Sequence, residues 1–595
     1  MRHSNFIPGC LMRNLARNAL IPLAFCAVCG ITDLRAQLSP AEIMPTGALV
    51  YVEARDLKSM LEGWLSSPEK KRWQESRHYQ RFQNSRLFLK LTSRAEQFAV
   101  SAGFPILTEQ LIPFAGRQSA LGIYNPAEQE FLFLTELSAA ERQILQLFRN
   151  KSRFEVRAQD GFTYYRNNQG GRMVCFAEID PYLAVSTQED LIRSALSLRK
   201  SPASRTSLAR TREWQETMSS QESSDLRIFL AMGSLSEHPA FRREWLFGNA
   251  KELQPFQSIR NEIFFSSAQV REKRLLVRKE KLAAVSGSLP LELLERYSPN
   301  HQTYLLGYAA PELEPLATRM EQLLWNPVPL EHPGPPRPAA PLGYQELMEA
   351  YRRSPFEKSI DEPESLTEPS EGKSGTRPAR PKLVQILASL GLQAVLETGS
   401  VLSPEDSPFH FTSYAFVLYA PGSANLSSEP LRGWIQDEFA RLYTVSGYPG
   451  TWRRKVLAQV SYDTLETDAG LMPISVARIG NALVVANSED SLRKILLTFQ
   501  AGMPPRFFTT REPPALSLFA RLEFREARDS FLRWQKALDY LQKQNAEEYS
   551  EPLFFSEDLG GLLQSLVRLQ RVTLQRQTAT DGVREEIVYD SLPRP

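Results

Sequence analysis

Cysteine is nearly missing from this chain. Of its four cysteines, Cys10, Cys26 and Cys29 lie near the N-terminus, and only Cys175 lies beyond them. If the first three leave with a cleaved N-terminal signal, the mature chain keeps one cysteine and cannot close an internal disulfide, so its stability must come from packing. Cys175 alternates with Met173 and Ala177 in a strand-like run, which reads as a core position rather than a nucleophile. Histidine is as thin: His3, His78, His238, His301, His332 and His410 are far apart and never at i, i+4, which argues against zinc. The sequence also lacks a G-x-G-x-x-G after a strand, a phosphate-binding loop, an H-E-x-x-H, an EF-hand loop and a G-x-S-x-G elbow. Ser67-x-x-Lys70 and Ser370-x-x-Lys373 match a penicillin-binding S-x-x-K in letters, yet neither has the downstream partners that chemistry requires. The 68 acids cannot be paired from sequence. No catalytic, cofactor-binding or metal-ligating residue is nominated, and no cofactor is expected.

Charge of one sign is lacking too. Lysine and arginine total 70 against the 68 acids, a net charge of +2, so nothing in the overall balance favours nucleic acid. The segment Lys70–Lys90 does mix Lys70, Lys71, Arg72, Arg77, Arg81 and Arg86 with Trp73, Tyr79 and Phe82. That mixture could grip an anionic polymer, but an amphipathic helix with packed aromatics and solvated arginines accounts for it.

No apolar run is long enough to span a bilayer. The nearest, Ala19–Ile31, follows Arg13 and Arg17 and reads as a secretion signal cut after Ala36. Met12 is an alternative start, because MRNLARNALIPLAF has the usual short basic leader. A lipid anchor on Cys26 or Cys29 is disfavoured, since Phe25 and Val28 stand where a small residue is wanted. The expected compartment is periplasmic or extracellular, with no transmembrane span in the mature chain.

What is present is a repetition. GGRMVCFAEIDPYLAVSTQEDLIRSAL, from Gly170, returns as GLMPISVARIGNALVVANSEDSLRKIL, from Gly470. Ala177, Ile179, Leu183, Val185, Glu189, Asp190, Arg193 and Leu196 recur as Ala477, Ile479, Leu483, Val485, Glu489, Asp490, Arg493 and Leu496. Each copy predicts two apolar strands around a two-residue break, Asp180-Pro181 or Gly480-Asn481. The Gly-Asn break suits a type II′ turn. Thr187 and Asn487 then read as N-caps, with carboxylates in the first helical turn. Ile192, Ala195, Leu196 and Leu492, Ile495, Leu496, Phe499 form one buried helical stripe each. Glu189–Arg193 and Glu489–Arg493 read as surface ion pairs four residues apart, so the repeated polarity has a folding rationale and indicates no active site.

Around these units each half predicts the same order of elements. The first opens with a strand in Gly47–Ala54 and a helix carrying Leu57, Met60, Leu61 and Trp64; the second with Thr303–Tyr308 and a helix carrying Leu316 and Met320. Strands at Ala120–Tyr124, Glu130–Leu137 and Phe154–Ala158, and a helix at Ala140–Arg149, are matched less completely by strands at Tyr414–Tyr419 and Val456–Tyr462 and a helix at Leu431–Leu442. Helices are expected at Arg242–Ile259 and Arg525–Gln544. Strands close the halves at Ile263–Leu282 and Leu566–Tyr589, the latter with an Asp581-Gly582 turn. The expected class is α+β, two tandem copies of a mostly antiparallel sheet flanked by helices. The domains are then a signal at 1–36, one repeat at 44–285 and another at 300–595, interrupted by a Pro/Ser/Glu-rich insertion at 326–382.

The opening G-A-L-V-Y-V-E-A then D-L, and A-L-V-V-A-N-S-E-D-S-L-R-K-I-L at the helix, resemble a family of secreted bacterial proteins carrying a duplicated domain of unknown function. That resemblance implies no catalytic residues. The functional expectation is a non-catalytic binding or structural component of the cell envelope, with an unknown envelope protein, polymer or small ligand as partner. An envelope-polymer hydrolase is the enzyme alternative, and would show as two close acids in one deep pocket. An apolar-ligand or lipid carrier is the third, and would show as an apolar-lined cavity between sheet and helices.

Overall fold

The computed structural model describes residues 39–592 apart from 106–110, 170, 202–205, 219–221, 242–252, 284–286, 300–301, 326–381, 403–410, 424–425, 444–449, 467–472, 502–514, 530–531, 533–562 and 564. The expected signal at 1–36 and the expected insertion as far as Pro381 lie outside the described residues. The chain divides into two compact units, one of residues up to Ala310 with 393–413 and 501 onward, the other of 311–392 with 414–500.

The strands of the first half are β1 (Val50–Ala54), β2 (Ser119–Asn125), β3 (Glu130–Glu136), β4 (Glu155–Gln159), β5 (Phe162–Asn167), β6 (Val174–Ile179), β7 (Tyr182–Ser186), β8 (Leu226–Leu230), β9 (Phe256–Phe265) and β10 (Gln269–Arg278). They pair in the order β4-β5-β6-β7-β3-β2-β1-β8-β9-β10, antiparallel throughout. The α+β class and the antiparallel sheet are therefore present. The expected helix over Arg242–Ile259 is corrected at its end, because Phe256–Ile259 pair in β9 against β10.

The later strands are β11 (Tyr304–Ala309), β12 (Ala394–Leu402), β13 (Phe411–Tyr419), β14 (Thr451–Leu457), β15 (Val460–Glu466), β16 (Ile474–Ile479), β17 (Ala482–Ala486), β18 (Leu518–Leu522), β19 (Leu569–Thr578) and β20 (Gly582–Ser591). In the second unit β14-β15-β16-β17-β13 run side by side. In the first unit β12-β11-β18-β19-β20 do the same. The run expected as one strand at Val456–Tyr462 is a hairpin, turned by Ala458 and Gln459, both at positive φ. Asp160 and Gly161 occupy the matching turn between β4 and β5, also at positive φ. Sequence shows that turn only in the copy where glycine supplies it.

One sheet per copy is what the repeat led us to expect, and here the structure differs. β10 pairs antiparallel with β20 from Gln269↔Asp590 to Val277↔Gly582, so the closing hairpins of both halves share one ladder. The hairpins close on Phe265↔Val270 and Thr578↔Val583. Lys273 and Glu586 each stand three residues past that closure, and they face each other directly. The two hairpins thus meet at the same distance from their own turns.

Helices cover the ladders. They include α1 (Leu57–Leu65), α2 (Pro68–Glu75), α3 (Arg77–Gln83), α4 (Arg86–Ala102), α5 (Ala139–Ile144) and α6 (Glu189–Lys200), then α7 (Leu313–Leu324), α8 (Leu383–Leu390), α9 (Glu429–Tyr443) and α10 (Glu489–Ala501). The single helix expected over Lys70–Lys90 is broken into α2, α3 and the start of α4. Ser76 ends α2, and Ser85 caps α4 by accepting the Phe88 N–H at 3.2 Å. The expected Ala140–Arg149 helix likewise breaks at Leu145. Ser67 of the S-x-x-K match is an N-cap, its hydroxyl accepting the Lys70 N–H at 3.2 Å.

β6 and β7 are buried on both faces. Cys175, Ala177, Tyr182 and Ala184 pack with Ile192, Ala195 and Leu196 of α6. Val174, Phe176, Leu183 and Val185 pack on the other side with Phe104, Phe114, Leu147 and Phe154. Cys175 is fully buried, and burial pushes its thiol up to about 12, the behaviour of a core residue.

The shared ladder is close-fitting at Gly582. A Cβ there would stand 2.3 Å from the Leu276 carbonyl oxygen, a backbone atom of β10. Gly582→Ala should therefore cost about 1–3 kcal/mol as the strands are forced apart. Gly422→Ala, where a Cβ meets nothing within 4 Å, should leave the melting temperature nearly unchanged. Thermal melts of both variants check this, and equal melting temperatures would refute the tight join.

Candidate functional site

The repeated polar residues are the first place to look for chemistry, and their partners differ from those expected. Glu189 does not pair with Arg193. Its carboxylate accepts the Tyr164 hydroxyl at 2.6 Å and the Arg166 guanidinium at 2.5 Å. Arg193 instead reaches Asp190 at 3.5 Å and Gln159 at 3.2 Å. In the second copy Glu489 accepts the Tyr462 hydroxyl at 2.7 Å and the Lys455 ammonium at 2.8 Å. Tyr164 and Tyr462 hold the same register, opposite Ala177 and Ala477. Each tyrosine thus ties the first turn of the helix to the strand beside the hairpin. The reason is reach: a glutamate in the first helical turn points back over the sheet, where a tyrosine waits, before it meets a side chain one turn on.

The predicted N-caps do other work as well. The Thr187 hydroxyl accepts the Phe131 N–H at 3.1 Å, and the Asn487 side-chain carbonyl accepts the Tyr414 N–H at 2.7 Å. Both satisfy the neighbouring strand rather than their own helix. In α10 the cap is Ser488, accepting the Ser491 N–H at 3.4 Å. The Tyr164 hydroxyl is pushed up to about 12 by burial and by Glu189, so it stays protonated and donating. The Tyr164 and Arg166 bonds hold Glu189 below the usual carboxylate range. At Glu489 burial pushes upward, but Lys455 and Tyr462 outweigh it, again leaving the pKa lowered. These are structural locks with every partner satisfied.

A different place in the first unit leaves a gap between a helix and the sheet. α4 is capped by Ser85 at its start and by Gly103, at φ +80°, at its end. Leu91, Ala95 and Phe98 lie along one side of it at spacings of four and three. Facing them is a cross-strand row: Leu121 of β2 opposite Phe133 of β3, and Phe133 opposite Val185 of β7. Between helix and sheet lies a cavity of about 290 Å³, walled by these residues with Phe104, Leu111, Phe114, Phe131 and Leu147. Alternation explains the wall. Leu132 and Leu134 point to the opposite core, so Phe131 and Phe133 must face α4. The helix is held over the gap at its far end, where the Asn167 amide donates to the Ser101 carbonyl at 2.9 Å and the Ser101 hydroxyl donates to the Arg172 backbone carbonyl.

Leu91 and Leu111 are 45% and 40% exposed, so they mark where the cavity meets solvent. The polar lining is Arg94, Gln129 and Arg172, with no carboxylate among the lining side chains. Arg172 is 8% exposed and donates to the Glu128 and Gln129 carbonyls at 2.7 Å each. Burial, and then the neighbouring Arg94 charge, lower its pKa. No nucleophile and base are gathered here. Among the described residues, no group of three or more His, Cys, Asp or Glu could hold a metal, and no helix is long and apolar enough to cross a membrane. Glu321 of α7 has its pKa raised by partial burial of its carboxyl and by Glu438 of α9, whose own carboxylate binds Arg441.

No protein-family model and no curated protein matches the chain. Among solved structures, crystal forms I and III of TP0453 align at 12% identity over 42% of this chain and 82% and 83% of theirs. Their TM-scores of 0.23 and 0.24 are too low to bear on fold or function.

The glutamate locks carry a pH signature. A carboxylate with a lowered folded-state pKa stabilises fully above its unfolded pKa, and that stability is lost as pH falls through the folded value. Glu189→Gln should lower stability at neutral pH by about 1 kcal/mol. Its melting temperature should also fall less steeply on acidification than that of the unaltered protein. Parallel acid-side slopes would show that Glu189 is not held as described.

Proposed function

We propose that this chain is an exported, non-catalytic binding protein of the cell envelope, and that its ligand is an apolar chain seated between α4 and the sheet. The observation that carries this reading is the cavity itself: a gap walled by phenylalanine and leucine where a closed core would have been the stabler arrangement. Its volume is near the lower end for ligand pockets, which are apolar with a few placed polar groups. A polymer hydrolase would need two acids set against one another in a cleft, and the lining supplies none. Export rests on the basic and then apolar leader of residues 1–36.

The architecture that goes with this reading is a tandem duplication. Its support is the matched hairpins, Ile179↔Tyr182 and Ile479↔Ala482, with identical burial along β6 and β16 and along β7 and β17. The tyrosine locks in the same register and the Lys273↔Glu586 pairing add to it. Both copies keep the fold-building contacts, while the cavity described here belongs to the first.

The protein purified from its producing cells, and examined by native mass spectrometry, should carry apolar adducts. After delipidation it should bind a fluorescent fatty-acid probe saturably. Ala95→Trp places an indole in the cavity and should weaken binding by about tenfold or more, as filled volume excludes the chain. Its circular dichroism should be unchanged. Absence of saturable binding by the unaltered protein would refute the reading.

A further inference from the structure

The apolar cavity has one charged end, where two cations stand beside the Glu128 and Glu130 carboxylates. Arg94 of α4 and Arg172, between β5 and β6, are the lining cations. Both converge on Glu128: Arg94 reaches its carboxylate at 3.4 Å, and Arg172 donates to its backbone carbonyl. That carboxylate is 60% exposed, so it answers Arg94 from the solvent side. Arg172 lies deeper, and among the described residues its bonds go to the Glu128 and Gln129 carbonyls. A guanidinium carries five N–H donors in a planar fork that suits carboxylate and phosphate oxygens. The Glu128 and Glu130 carboxylates act on Arg172 from nearby, and an anionic head reaching its guanidinium would add a direct pair.

We propose that the cavity takes a single-chain amphiphile with an anionic head, its chain along Ala95, Phe98, Phe131 and Phe133 and its head at Arg94 and Arg172. The proposal rests on the apolar-ligand reading given above. Arg94 is 31% exposed and stands near the mouth, where an arriving head group would meet it first. The rest of the lining, Phe104, Phe114 and Leu147 included, is aromatic and aliphatic, which suits the chain. Carboxylate and phosphate heads share this chemistry, one from a free fatty acid and the other from a lysophospholipid.

The test uses the full-length protein, delipidated, titrated with four ligands of equal chain length: a fatty acid, an alkyl phosphate, a primary alcohol and an alkylammonium. The acid or the phosphate should bind about tenfold or more tighter than the alcohol, as a charge-assisted pair does over a neutral one. The alkylammonium should bind weakest. Whichever anion binds tighter identifies the head-group source. Arg94→Met should collapse the anion-to-alcohol ratio and leave the alcohol's own affinity unchanged; Arg172 is kept intact because it also holds the Glu128–Gln129 turn. If the unaltered protein binds acid, phosphate and alcohol alike, the head-group assignment is overturned and the apolar-ligand reading stands. Should none of the four bind, that reading itself fails. An undiminished ratio in Arg94→Met removes Arg94 from the site. If that variant does not fold, the ratio in the unaltered protein decides alone.

Discussion

The constraint on which the first unit depends is that β6 and β7 are buried on both faces. A strand pair with Val174, Cys175, Phe176 and Ala177 in succession has no polar face to leave in water, so something must cover each side. α6 covers one side with Ile192, Ala195 and Leu196. The other side falls to a looser assembly of Phe104, Phe114, Leu147 and Phe154 beneath α4. The tight side is fastened by the Tyr164–Glu189 lock, while the looser side leaves a gap.

The lock also shows why repeated polar residues need not be functional. Glu189 and Glu489 recur because each satisfies a tyrosine that would otherwise be buried against a hairpin without a partner. The cation that completes the lock comes from β5 as Arg166 in one case and from β14 as Lys455 in the other. The carboxylate and the phenol recur, and the source of positive charge is free to move. That pattern follows from geometry, since a lysine or arginine stem reaches the same point from either neighbouring strand.

The pairing of β10 with β20 has a similar logic. A hairpin at the end of a ladder exposes an unpaired edge, which invites association. Two such hairpins brought together antiparallel each cover the other's edge, and Arg271 of β10 reaches Glu586 of β20 at 3.9 Å across the pairing. The close approach at Gly582 is the local consequence, because a strand without a Cβ at that position can lie against the Leu276 carbonyl.

Much of the fold was legible in the sequence, because alternation and helical stripes are local. The β6–β7–α6 pattern and its copy, the opening strand and helix of each half, and the core position of Cys175 all follow from residue spacing. Breaks were read less well where a serine, as at Ser76 and Ser85, interrupts an otherwise helical run, or where Ala458 and Gln459 turn without glycine. The polar partners were misassigned because sequence offers only neighbours along the chain, whereas Tyr164 reaches Glu189 across strands. Nor could any spacing rule locate the cavity. Phe131, Phe133, Leu121, Val185 and Phe98 come from four separate elements, and each reads singly as ordinary core. Sequence determined which faces must be buried; tertiary structure decided which of them are filled, because filling depends on how closely a helix can approach a sheet, and that distance is set by side chains far apart in the chain.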